Sequence, residues 1–163
     1  MLLIKEDLKA IGFIPPTPEG YKEYEFERLW SLVTGEGVKV AICFTYLAAT
    51  SVENHKKHNE MLYSLIELDM AKSKEEGYVI ALMGDFNGHL GPKSVNNPNG
   101  VQGDKCQRNS NGTLFLNFVK KTQMAILNNM DNCKGTFTRI EGGNLSVVDF
   151  GLIEEERTDM IAS

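Results

Sequence analysis

The chain has 163 residues, 42% hydrophobic and 24% charged, with 15 Gly and only 5 Pro, which excludes disordered, collagen-like and low-complexity classes and fits one domain with its own core. The formal net charge of −5 argues against a uniformly basic polyanion binder, but the charge is segregated. Residues 1–87 carry 14 acids and 9 bases, residues 88–140 two acids and seven bases, and residues 141–163 six acids and one base.

The middle bases, Lys93, Lys105, Arg108, Lys120, Lys121, Lys134 and Arg139, form a stretch able to meet phosphate, with solvated loop charge as the plain alternative. No apolar run reaches the roughly 20 residues of a membrane span, and Lys5, Glu6 and Asp7 interrupt any signal core. Cys43, Cys106 and Cys133 are odd in number and widely spaced, so neither a disulfide framework nor a Cys-x-x-Cys knuckle is expected. Together these features predict an intracellular, reducing location, the nucleus included.

In chain order, residues 2–4 read as the tail of a buried strand, and Pro15, Pro16 and Pro18 mark a loop. Residues 39–46, rich in β-branched and aromatic side chains, predict a mostly buried strand ending at Tyr46. Residues 50–53 have capping-box spacing, and Met61, Leu62, Leu65 and Ile66 share one face of the helix that follows, which should end near Gly77. His55 and His58 in its first turns read as exposed polar residues with no chemistry.

Residues 78–83 form a continuous apolar run between glycines, the pattern of a strand buried on both faces, and it runs directly into Gly84-Asp85-Phe86-Asn87. A second amphipathic helix is predicted over residues 112–123, with Leu114, Phe115, Phe118 and Val119 facing in and Asn109 or Asn111 as cap. Short strands follow at residues 125–128, 135–139 and 146–153. Alternating strands and helices predict an α/β fold, a layered sandwich with a mixed sheet.

Asp85 and Asn87 stand two apart at the mouth of a buried strand, where binding and catalytic residues concentrate. A carboxylate there can take a proton from water or hold a hard cation, and an amide can donate to a phosphate oxygen, although Asp-x-Asn also makes ordinary turns. Its context is more specific. GDFNGHLG is followed by Asn109-Ser110-Asn111-Gly112 opening a helix, then Gly135-Thr136-Phe137-Thr138-Arg139, and finally Ser146-Val147-Val148-Asp149-Phe150-Gly151-Leu152.

This order resembles the endonuclease/exonuclease/phosphatase superfamily, most closely LINE-type retrotransposon endonucleases and their craniofacial development protein relatives, over residues 38–153. The resemblance implies that Asp85 activates the attacking water, that Asn87 is its phosphate-binding neighbour, and that the two would hold Mg²⁺, with Mn²⁺ as the alternative. It implies that Tyr46 contacts the scissile phosphate, Thr136 lies at the rim, and Asp149 orients a catalytic His. Asn111, Arg108 and Arg139 are expected against the backbone of DNA or, alternatively, RNA.

The family's metal-ligating Glu and its terminal Ser-Asp-His have no counterpart here. Glu6 does not match the Glu, and His89, in the loop after Asn87, is a poor substitute for the His. The expectation is therefore a partial domain, incomplete at both ends, with impaired hydrolysis and exposed sheet edges open to pairing. A non-catalytic remnant that binds nucleic acid or protein, or a phosphatase for another phosphoester, are the alternatives.

Overall fold

A computed structural model describes residues 7–16, 19, 27–35, 37–131, 133 and 137–161. Among the described residues, eight strands and two α-helices run in the order β1 (Lys9–Phe13), β2 (Arg28–Gly35), β3 (Val38–Tyr46), α1 (His55–Glu75), β4 (Val79–Asp85), α2 (Ser110–Thr122), β5 (Met124–Ile126), β6 (Arg139–Glu141), β7 (Asn144–Ser146) and β8 (Asp149–Glu154). Six strands build one mixed sheet in the order β1-β2-β3-β4-β8-β5, while β6 and β7 pair separately. Only β3 and β4 run parallel, because α1 carries the chain back between them.

The sheet's helix-covered face is set by side-chain alternation. Ala41 and Cys43 on β3, Ile80 and Leu82 on β4, and Phe150 and Leu152 on β8 point the same way and are buried against α1 and α2. From α1, Leu62, Leu65, Ile66 and Met70 recur at helical spacing and fill this layer. From α2, Phe115 meets Phe86 at 4.9 Å and Phe150 at 4.7 Å between ring centroids, and Phe118 stacks on Tyr63 at 4.6 Å. A buried ion pair locks the layer to β2: Arg28 Nε donates to Asp69 Oδ2 at 2.8 Å, and Trp30 Nε1 donates to the same oxygen at 3.1 Å.

Several expectations about boundaries change. The helix of residues 50–77 begins only at His55. Its cap, Asn54, sits in the left-handed region at φ 58° and makes no side-chain cap bond, so Thr50 to Glu53 form turns rather than a capping box. The single strand expected over residues 146–153 is two elements, since Ser146 pairs with Arg139 in the small sheet and Asp149 with Asp85 in the large one. Val147 and Val148 bridge them, both buried.

The strand of residues 125–128 turns into a 3-10 segment, Leu127–Asn129, after Ile126. Of the strand expected over residues 135–139, only Arg139 is a strand residue among the described ones, and residues 134–136 lie outside them. The strand at residues 2–4 and Pro18 also lie outside them, whereas Pro15 and Pro16 occupy irregular chain as expected. Strands β1 and β2 were not foreseen: β1 is short and mostly exposed, and β2 buries both faces without clean alternation.

Candidate active site

Register across three strands assembles the site. Tyr46, the last residue of β3, is the Cα partner of Asp85, the last residue of β4, and Asp85 is the Cα partner of Asp149, the first residue of β8. One row thus carries a phenol and two carboxylates at one end of the sheet, on the face that also presents Leu29, Phe44 and Met83 in the next same-facing row. Tyr46 is 52% exposed and Asp149 is exposed, while Asp85 is half-buried.

The row is held by backbone bonds where the strands end. Leu47 N donates to Asp85 O at 2.9 Å and Phe86 N to Val148 O at 2.9 Å. Gly84 is required one residue earlier, since a Cβ there would lie 1.9 Å from Thr45 O. Thr138 Oγ1 accepts from Val148 N at 3.0 Å and from Asp149 N at 3.2 Å, fixing the approach of Asp149.

The turn after Asp85 is built by its own side chains. Asp85 Oδ1 accepts from Asn87 N at 2.8 Å, and Asn87 adopts φ 45°. The buried Asn87 amide donates through Nδ2 to Leu47 O at 2.7 Å, tying the loop after β4 to the loop after β3. One N–H and Oδ1 of that amide remain for any other partner.

An asparagine network fastens α2 beneath this turn. Asn109 is the cap of α2: its Oδ1 accepts from Gly112 N at 2.7 Å and His89 N at 3.1 Å, and its Nδ2 donates to Asn87 O. Asn111 is fully buried, donates to Ala48 O and Asn87 O, and accepts from Asn59 Nδ2. Gly112 permits the close approach, because a Cβ there would stand 1.9 Å from His89 O.

The Asp85 carboxyl is raised above its usual range. Burial is the largest cause, the Asn87 N–H bond opposes it, the Asp149 charge adds to it, and the Arg139 charge lowers it again. Two carboxylates in register, one pushed toward the protonated form, make an oxygen-rich place for a hard cation, and the residues present fit Mg²⁺ or Mn²⁺ in that respect.

The structure therefore brings Tyr46, Asp85, Asn87 and Asp149 together and sets Arg139 within electrostatic reach of Asp85. Thr136 lies outside the described residues. Asn111, expected at the nucleic-acid surface, is instead a core residue, its amide spent on main-chain carbonyls and Asn59, which removes it from any such surface. Arg108 is exposed on a different groove of about 600 Å³, shared with Thr113, Lys120 and Gln123, where its Nη2 donates to Asn97 Oδ1.

Two features beside the row carried no readable sequence signal. His58 Nε2 contacts Glu27 Oε2 at 2.5 Å, and both line a cleft of about 490 Å³ with Tyr46, Glu53 and Lys57. This pair joins two segments distant in sequence, so neither residue type announces it locally. Thr138 is the other, lying two positions beyond the threonine singled out in the Thr-Phe-Thr-Arg run.

The six-stranded mixed sheet with two helices packed on one face places the chain among α/β folds. It is similar to the endonuclease domain of TRAS1, a telomere-specific non-LTR retrotransposon, with a TM-score of 0.60 at 16% sequence identity, and the match covers 99% of this chain and 62% of that one. No protein-family model and no curated protein matches the sequence. No helix among the described residues is long and apolar enough to cross a membrane.

Proposed function

We propose that the chain is a metal-dependent phosphodiester hydrolase of the endonuclease type, derived from a retroelement and belonging to the endonuclease/exonuclease/phosphatase superfamily. The observation that carries this reading is the row Tyr46, Asp85, Asp149 at one sheet end, in a fold shared with a retrotransposon endonuclease domain. Asp85 and Asn87, with Asp149 adding negative charge, would hold a divalent cation, Mg²⁺ or Mn²⁺. Such a cation supplies charge neutralisation for the phosphate oxygens.

Each protein group then has a task. The Asp85 carboxylate, at the end of β4, takes a proton from the attacking water. The water oxygen forms its bond to phosphorus as the bond to the leaving oxygen breaks, and that oxygen takes a proton from solvent. Tyr46, exposed at the end of β3, donates its hydroxyl to a phosphate oxygen. Asn87 fixes the carboxylate through its N–H and the loop through its amide.

Arg139 and, on the separate groove beside α2, Arg108 and Lys120 would meet the backbone of DNA or RNA, a contact that weakens with salt. The test is nicking of supercoiled plasmid with Mg²⁺ and with EDTA, beside Asp85→Ala. Cleavage that needs Mg²⁺ and falls at least about 100-fold in the variant is the expected result. Folded protein that binds plasmid in a salt-dependent manner and never cleaves it would replace this reading with that of a binding remnant.

A further inference from the structure

Four residues beyond Asp85, the chain assembles a different donor set. His89, Asp104 and Cys106 each bring one ligand atom, and these atoms lie within 4.8 Å of one another. We propose that His89 Nδ1, an Asp104 carboxylate oxygen and Cys106 Sγ form a Zn²⁺ site that clamps the loop of residues 90–103 against the turn after β4.

The geometry points to a metal because of what each donor lacks or already has. His89 Nδ1 is buried with no hydrogen-bond partner, and the Asp104 Oδ1 nearby stands at 3.7 Å, beyond hydrogen-bonding reach. A ring nitrogen removed from water and left without a partner is costly, and coordination would satisfy it. The His89 backbone is held in place, because its N–H donates to Asn109 Oδ1 and its carbonyl accepts from Asn109 N.

Asp104 is 1% exposed, and its orientation is fixed by three backbone donors: Leu90 N and Gly91 N at 3.1 Å on Oδ2, and Cys106 N at 3.0 Å on Oδ1. A carboxylate offers about four acceptor positions, so one remains for a cation. The bond from Cys106 N to Asp104 also holds the thiol's own backbone in place.

The donor chemistry selects the ion. Imidazole, thiolate and carboxylate in one cluster suit Zn²⁺, whereas Mg²⁺ prefers oxygen alone. Three protein ligands leave a fourth position for water. The clamp would tie together the ends of a segment already narrowed by the pairings of Pro92 with Val101 and Ser94 with Asn97. That segment and its flank carry Lys93, Lys105 and Arg108. The inference stands independently of hydrolysis at Asp85.

The three cysteines make the test internally controlled, since Cys133 is exposed, Cys43 is buried and Cys106 is intermediate. The full chain is alkylated with and without Zn²⁺ at about ten times its dissociation constant, and each cysteine peptide is followed by mass spectrometry. Alkylation of Cys106 should slow about tenfold while that of Cys133 stays unchanged. The protection should vanish in His89→Gln and persist in Asp85→Asn. Co²⁺ should give a thiolate charge-transfer absorption that Cys106→Ser removes. Equal alkylation of Cys106 with and without Zn²⁺ in folded wild type, or protection that survives His89→Gln, would overturn the site.

Discussion

Two aspartates divide this molecule. Asp69 on α1 lies in the layer between helix and sheet, and one of its oxygens accepts from both the Arg28 guanidinium and the Trp30 indole. Asp85, at the end of β4, has another carboxylate, Asp149, as its cross-strand neighbour, and its acceptor bond comes from its own turn. The first charge is answered inside the fold, while the second is answered in part and faces water. A fold retains such an imbalance at a cost, which is why the proposed function places its cation at Asp85.

The sharpest way to break the contrast is to remove the answer from the first region. Asp69→Asn keeps the shape and deletes the charge that offsets a guanidinium 1% exposed to solvent, so it should cost about 3 kcal/mol in denaturant unfolding. Next in size is the frame beneath the second region. Asn111→Ala removes two donors to Ala48 O and Asn87 O and the acceptor of Asn59, and should cost about 1–3 kcal/mol.

The smallest effect has the opposite sign. The Asp85 carboxyl is raised in the folded state by burial and then by Asp149, so it favours the fold when protonated. That contribution is complete below the unfolded value of 3.8 and is lost as pH rises through the raised folded value. Asp85→Asn should therefore match wild type in acid and exceed it near neutrality. Because the carboxylate is half in water, the gain in Tm should be on the order of 2 °C. Melting curves across pH would show the gap opening upward, and a variant less stable than wild type at neutral pH would contradict the assignment.

The sheet's centre was legible because β3 and β4 are continuous apolar runs and α1 repeats its apolar residues at helical spacing. The start of α1 was not, since Thr50 and Glu53 imitate a capping box while Asn54 turns the chain through a left-handed conformation. Residues 146–153 looked like one strand because alternation cannot show that Ser146 and Asp149 pair in different sheets. Asp85 could be singled out from its position after a buried strand. Its coupling to Asp149 is a matter of register between segments far apart in sequence, and Asn111 misled because a polar residue type says nothing of the main-chain carbonyls that fold around it.

The central claim, that the Asp85 end of the sheet holds a hard divalent cation, is tested most directly by calorimetric titration of Mg²⁺ into wild type and Asp85→Asn. Wild type should bind one equivalent, and the variant should bind at least about tenfold more weakly. Equal affinity in the two proteins would contradict the account.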